Sequence, residues 1–478
     1  MKLSALLQDV ETESVYTMNP DIKGITDNTD KIRQGSAFVC IEGDNVDGHT
    51  FAFKALEKGA EVIICQRDLG IERSVIVKDT REAYAVMCAE FYGNCHRKLK
   101  MIGVTGTNGK TTTSYMLRKI LEDSGYKTGL IGTVSVLIGK ERYPADLTTP
   151  DPADLHRYLM LMSIAGCDAC VMEVSSQALS QKRVHGINFE TAIFTNLSAE
   201  HLDYHKSIES YAEAKALLFE NSRSAVINGD DAYAPLMQSK CGGKMITFGI
   251  KDDNLIKAEK VRLDRDGVTY NLITPETDYP VTVGMMGNFS VYNSMAAIST
   301  AYLLGADMNR AVRSASRFEG IRGRMEKIEN KLGINIIIDF AHTPDSLENA
   351  LRTIKSVYDG RIITVFGCGG DRDKSKRNIM GRTAYELSDK VFVTSDNPRT
   401  EKPENIIEEI TEGLPSDNLF KITDRTQALK SALNCARTGD VVLVAGKGHE
   451  KYQILGTQKI YYDEREIIRK LLEDKARF

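Results

Sequence analysis

From Lys98 onward, short continuous apolar runs alternate with segments whose apolar residues recur at helical spacing. That alternation predicts an α/β chain with largely parallel sheets, because parallel strands are covered by helices on both faces and lose the polar face of an antiparallel strand. Parallel sheets also bring the carboxyl ends of their strands to one edge, where open α/β folds bind ligands. In this sequence those ends carry polar, glycine-rich residues and the strand starts do not. The run Lys100-Met101-Ile102-Gly103-Val104 leads into Gly106-Thr107-Asn108-Gly109-Lys110. Later strands lead into Glu173-Val174-Ser175-Ser176 and Thr195-Asn196-Leu197-Ser198. Toward the C-terminus, strands lead into Asp339-Phe340-Ala341-His342 and into residues 367–372, 395–399 and 446–450. The pattern implies two ligand-binding edges, one in a middle unit and one in a last unit.

At 478 residues, and roughly 150 residues per domain, the chain has room for about three domains. The predicted divisions are 1–98, 99–324 and 325–478, the middle one holding a P-loop and the last a Rossmann-like sheet. Lys plus Arg number 62 against 66 Asp plus Glu, a formal charge of −4. That balance lacks the basic excess of a dedicated nucleic-acid binder. No apolar run approaches the ~18 residues that a membrane span needs. The N-terminal residues turn acidic at Asp9 and Glu11, too soon for the core of a secretory signal, so a cytoplasmic protein is expected. Nine scattered cysteines fit reduced thiols better than a disulfide scaffold. Cys167 and Cys170 form a lone CxxC without a second pair, which reads as small buried residues and not as a zinc site.

Gly106, Thr107, Asn108, Gly109, Lys110, Thr111 and Thr112 follow a strand and open a helix with Met116, Leu117, Ile120 and Leu121 on one face. Backbone N–H groups of such a loop cradle phosphate oxygens, Lys110 reaches the β/γ-phosphates and Thr111 ligates Mg²⁺. The general pattern has Gly six residues before the lysine, where Val104 stands here. Glu173, His201, Asp203 and His205 supply an acid and imidazole set after neighbouring strands. A hard cation takes carboxylate, phosphate and water oxygens with an occasional imidazole, and the HExxH spacing of a zinc protease is absent. His205 reads as structural. Lys215, in the helical segment 211–219, would ordinarily reach to solvent, and the residues alone give no reason to single it out.

GTNGKTT, MEVSSQAL, TNLSAEHLDYH, YAEAK, GNFSVYNSMAA, GRME, DFAHTPDSLENAL, GCGGDRDKSKR, SDNPRTEKP and GKGHEKYQ occur in the order seen in the Mur ligases. The chain resembles that family from Ile25 to Glu466, and GCGGDRDK followed by DNPR and GKGHE is the pattern of its diaminopimelate-adding members. The resemblance implies ATP held by residues 106–112, with Asn293, Arg324 and Asp339 contacting adenine, phosphate and ribose. It implies Mg²⁺ held by Thr111, Glu173, His201 and Lys215, the lysine as its N6-carboxy (carbamate) form, with Lys110 completing the catalytic set. Carbamylation would turn a cation into the oxygen ligand that a metal needs.

The same resemblance assigns Thr29, Thr148, Thr149, Ser175, Gln181 and Arg183 to UDP-N-acetylmuramoyl-L-alanyl-D-glutamate. In the first domain the usual Asp-Ser-Arg is here Asn28-Thr29-Asp30, which keeps a hydroxyl and reverses a charge. Arg372, Asp396, Asn397, Pro398, Arg399, Gly446 and Glu450 match the meso-diaminopimelate pocket. The implied reaction makes an acyl phosphate at the D-glutamate γ-carboxylate and joins the amino acid there, in a monomer. Two relatives of the same fold stay open at this point: an L-lysine-adding ligase and a folylpolyglutamate synthase-like ligase. A non-catalytic nucleotide switch is a third reading, which the Glu173, His201 and Lys215 set opposes.

Overall fold

A four-stranded parallel sheet opens the chain, with Gly24–Thr26, Ser36–Val39, Ala60–Cys65 and Ser74–Ile76 side by side in that order. The structure is a computed structural model that describes residues 1–13, 19–43 and 46–475, Asp203 by its backbone alone. The apolar run read as strand 36–41 pairs only as Ser36–Val39.

The next sheet is built around the glycine-rich loop. Lys244–Gly249, Ser224–Asn228, Thr191–Phe194, Lys100–Thr105, Ala169–Glu173 and Thr128–Ile131 run parallel in that order. Val136–Ile138 and Glu141–Tyr143 extend it antiparallel. Lys100–Thr105 therefore has parallel neighbours on both sides, which explains why Ile102 and Val104 keep no exposed surface. The helix Lys110–Asp123 follows it and buries Met116, Leu117, Ile120 and Leu121, the face read from spacing. It ends just before Gly125, whose φ of +97° lies in the left-handed region.

The last sheet has the order Glu326–Ile328, Asn335–Asp339, Val441–Ala445, Ile362–Phe366, Lys390–Val393 and Leu419–Lys421, parallel except for its first strand. One stretch breaks the alternation of strand and helix. Ile256–Asp264, Gly267–Ile273 and Asp278–Val283 form an antiparallel meander that the sequence pattern does not announce. Its strands keep a polar face, so they lack the continuous apolar runs that mark the parallel strands.

The chain folds into two compact units. Met1–Leu197, Glu209–Leu255 and Ala296–Ala311 make the first, and Ser198–Ile208, Ile256–Met295 and Val312–Phe478 the second. No helix among the described residues is long and apolar enough to cross a membrane. Cys167 and Cys170 are both buried, as expected of small core residues, and burial raises both thiols above their ordinary range.

Candidate active site

In the first unit the loop is shaped by its neighbour strand. Gly106 has a φ of +146°, and a Cβ there would stand 1.9 Å from Thr195 Oγ1, so only glycine fits. Asn196 grips the loop: its carbonyl accepts from Thr107 N at 2.8 Å and its Oδ1 from Asn108 N at 2.9 Å. Thr195 Oγ1 and Asn196 Nδ2 both donate to Asn108 O, at 2.6 and 3.0 Å. The sequence showed Thr195-Asn196 as a strand end but gave no sign of this role. Lys110 folds over the loop, its Nζ donating to Gly106 O and Thr107 O at 2.7 Å each. The ammonium is thereby held at the loop instead of reaching into solvent.

Glu173, with no exposed surface, ends the adjacent strand. Its Oε2 accepts from Thr111 Oγ1 and Thr133 Oγ1, both at 2.9 Å, and its Oε1 from Thr133 N at 3.0 Å. A Cβ on Gly132 would lie 2.2 Å from Oε1, so the carboxylate is cradled by bare backbone. A hydroxyl and a carboxylate side by side, both oxygen donors, suit a hard divalent cation. Thr112 is also buried, in the same helical turn.

Lys215 is 1% exposed on the helix Ile208–Glu220, so it does not snorkel. Its Nζ donates to Gly106 O at 2.9 Å and lies 4.3 Å from the Tyr211 ring centre. Tyr211 OH is 3.3 Å from Thr107 Oγ1, which ties the same helix to the loop. Glu173 and Lys215 belong to the first unit and His201 to the second.

The residues matched to the muramoyl peptide form one network, with Thr29 apart from it in the turn Thr29–Lys31. Thr149 Oγ1 donates to Glu173 O at 2.9 Å and accepts from Ser175 N at 3.0 Å. Arg183 donates to Thr149 O at 2.9 Å and, through Nε and Nη2, to Gln181 Oε1. Thr148 Oγ1 lies 3.1 Å from Thr133 Oγ1 and so joins the Glu173 cradle.

In the second unit a cavity of about 460 Å³ is lined by Arg372, Asp396, Asn397, Arg399, Gly446 and Glu450. His201 lines it too, beside Glu200 at 3.7 Å. Pro398 does not; its carbonyl instead accepts from Glu401 N at 3.1 Å. Asp396 is 8% exposed, and its Oδ2 has no hydrogen-bond partner among the described residues. A buried acceptor in that state is open to a donor from a ligand or from water. Arg399 takes a φ of +53° and donates Nη1 to Gly370 O at 2.6 Å. Arg372 donates to Asp371 O at 3.0 Å.

A buried clamp sets these arginines. Arg377, 1% exposed, donates to both oxygens of Glu401 at 2.9 and 2.8 Å, and the pairing holds the Glu401 carboxyl down to about 2. Glu401 Oε1 also accepts from Asp371 N at 2.6 Å, which joins the loop bearing Arg372 to the segment bearing Arg399. His342 and Lys376 line the cavity without having been expected there. Lys376 donates to His342 O at 2.9 Å. Its signal was faint, because a lysine inside a charged run usually marks a solvated loop.

The residues matched to the adenosine end lie nearby in the same unit. Arg324 lies 4.7 Å over the Phe340 ring, and Asp339 Oδ2 accepts from Met325 N at 2.7 Å. Burial raises the Asp339 carboxyl, with the Arg324 charge working against it. Asn293 is buried on the helix Asn288–Leu303.

The chain matches the catalytic domain of the Mur ligase family over residues 21–92, the Mur ligase middle domain over 104–301 and the Mur ligase glutamate ligase domain over 323–448. The UDP-N-acetylmuramoyl-L-alanyl-D-glutamate–2,6-diaminopimelate ligase of Clostridium botulinum is 40% identical over 482 residues, spanning 99% of this chain and all of its own. That of Clostridium perfringens is 42% identical over 486 residues, with the same coverage. A solved structure of an enzyme of that name superposes with a TM-score of 0.71 at 31% identity, covering 100% of this chain and 99% of the other. With the loop, the cradled carboxylate and the arginine-walled cavity each found where those motifs lie, the chain belongs to the Mur ligase family.

Proposed function

We propose that the chain is an ATP-dependent ligase that joins meso-diaminopimelate to the D-glutamate γ-carboxylate of UDP-N-acetylmuramoyl-L-alanyl-D-glutamate in peptidoglycan synthesis. The observation that carries it is the second unit's cavity, which sets the fixed guanidinium of Arg399 among the carboxylates of Asp396 and Glu450. Diaminopimelate exceeds lysine by one carboxylate, and a planar guanidinium meets a carboxylate with two parallel hydrogen bonds. Glu450 and the Gly446 carbonyl accept from the distal ammonium.

In the first unit, loop amides and Lys110 hold the ATP phosphates and stabilise charge on the transferring phosphoryl group. The γ-carboxylate oxygen takes that group from ATP, giving an acyl phosphate and ADP. The free amine then attacks the acyl carbon, the C–N bond forms, the amine loses a proton, and phosphate leaves. Mg²⁺, when bound, neutralises phosphate charge, and Thr111, Glu173, His201 and a carbamate on Lys215 are the groups that would hold it. Thr149, Ser175, Gln181 and Arg183 orient the muramoyl peptide, and Asn293, Arg324 and Asp339 the nucleoside end of ATP. The enzyme acts as a cytoplasmic monomer with domains at 1–98, 99–324 and 325–478.

The test is ADP release with the UDP-muramoyl dipeptide and, in turn, meso-diaminopimelate, L-lysine or no amino acid. Turnover should require diaminopimelate. Equal release with L-lysine, or release with no amino acid, overturns the assignment.

A further inference from the structure

Lys447 has no exposed surface and is not among the residues lining the amino-acid cavity, yet it touches two that are. Its Nζ donates to Asn397 Oδ1 at 3.0 Å and to Glu450 Oε2 at 3.1 Å. The same Asn397 oxygen accepts from Ile454 N at 3.0 Å. A backbone N–H can meet only the oxygen of an amide, so this contact fixes which way the Asn397 side chain faces. Asn397 Nδ2 then gives one hydrogen to Glu450 Oε2 at 2.9 Å.

The count of donors and acceptors is therefore closed on one side. Asn397 has its oxygen filled by two donors and a single N–H left to give. Glu450 has Oε2 filled by two donors, while Oε1 accepts from the Tyr452 hydroxyl at 3.4 Å and keeps a second lone pair for a ligand. Burial and the Glu450 charge push the Tyr452 hydroxyl up to about 12, so that neighbour stays a neutral phenol.

We infer that Lys447 is a positioning residue for the amino-acid substrate, whose buried ammonium holds Glu450 as a charged acceptor beside an Asn397 that faces the ligand as a donor. A ligand carboxylate oxygen then suits the Asn397 side and a ligand ammonium the Glu450 side, which fixes the order in which the cavity reads a zwitterion. This rests on the reading of the cavity given under the proposed function. Removing the lysine leaves the partly buried Glu450 carboxylate without its counter-charge, while Ile454 N still holds the Asn397 oxygen.

The test compares KM for meso-diaminopimelate, ATP and the UDP-muramoyl dipeptide in wild type, K447M, E450Q and K447M/E450Q. Methionine keeps the length of the side chain and removes its charge. K447M should raise the diaminopimelate KM by about 10- to 100-fold, below the full cost of breaking a buried charge pair because Glu450 is partly exposed. The other two KM values should stay within about 2-fold. In the E450Q background, where KM is already raised, the same change should add less than about 2-fold, because both substitutions act through one carboxylate. An equal factor in both backgrounds, or a parallel rise in all three KM values, means a packing role and overturns the inference. If K447M does not fold, K447M/E450Q against E450Q decides alike: equal KM supports the inference and a further 10-fold rise overturns it. An E450Q enzyme with wild-type KM removes the reading of the cavity itself, and the inference with it.

Discussion

The Thr111 hydroxyl donates to Glu173 Oε2 at 2.9 Å, joining the first helical turn after the glycine-rich loop to the end of the adjacent strand. The hydrogen-bond donors that the described residues bring to this buried carboxylate, Thr111 and Thr133, are neutral. Hydroxyl and amide donors satisfy its lone pairs without cancelling its charge, which leaves the carboxylate suited to a cation arriving with the nucleotide.

Glu173→Gln keeps the shape of that cradle and removes the charge. Activity should fall on the order of 100-fold or more, the scale of losing one electrostatic group in a water-excluded site. The Mg²⁺ concentration giving half-maximal rate should rise. Thermal melting should change little, since the donors that hold the carboxylate are neutral. An Mg²⁺ dependence identical to wild type would count against Glu173 as a ligand.

Lys110→Ala should abolish phosphoryl transfer with the fold intact, because its ammonium donates to two carbonyls of the loop itself, Gly106 O and Thr107 O. ADP formation measured at matched melting temperature checks it. Wild-type rates in that variant would remove the loop as the ATP site.

Lys215→Ala should be nearly inactive, and added short carboxylic acids should restore part of the rate by supplying the missing oxygen donor. Lys215→Arg should stay inactive, since a guanidinium neither takes up CO₂ nor binds Mg²⁺. A fully active arginine variant would end the carbamate proposal.

His96 and His156 predict how stability follows pH. Both are buried in the first unit, their rings edge to face at 5.5 Å. His96 Nδ1 and His156 Nε2 lack hydrogen-bond partners among the described residues. Burial lowers His156 to about 3 and His96 to about 4, with Arg97 adding to the second shift. In the unfolded chain each titrates near 6.5. Above that value the folded state keeps its full advantage. As pH falls below it, the unfolded chain takes up protons that the folded state refuses, at about 1.4 kcal/mol per pH unit for each histidine. Urea melts should hold level from pH 8 to 7 and weaken from 6.5 toward 5. His156→Leu should show roughly half of this histidine slope, and an unchanged slope would be contrary evidence.

How much the sequence revealed depends on whether a role is local. The glycine-rich loop was legible because Gly106 to Thr112 form one motif of consecutive residues, and the helix after it because Met116, Leu117, Ile120 and Leu121 share one face. Arg399 and Glu450 were legible through resemblance, and the structure places both on one cavity. Lys215 was not readable from its neighbours, since its partner, the Gly106 carbonyl, lies 109 residues away. Lys447 was hidden for another reason. Its surroundings in Gly446-Lys447-Gly448 say nothing of burial, and one of its two partners, Asn397, lies 50 residues away at the end of another strand.

On the proposed reading substrate choice turns on Arg399, whose Nη1 is anchored by Gly370 O at 2.6 Å while its backbone N donates to Ile454 O and its O accepts from Gly456 N. An arginine fixed in that way cannot swing out to solvent when the ligand lacks a carboxylate. L-lysine would leave it facing none. Stranding one partner of a buried pair costs roughly 3–5 kcal/mol. Arg399 is half-buried, so a penalty of about 2–4 kcal/mol is expected, or roughly 30- to 1,000-fold in kcat/KM. Arg399→Ala should lose most diaminopimelate activity and narrow the gap between the two amino acids, without necessarily gaining good lysine activity. Measuring kcat/KM for both substrates on both proteins decides it. An unchanged ratio in Arg399→Ala would remove this arginine as the selector, and equal use of lysine by the wild type would make the chain a lysine-adding ligase of the same family.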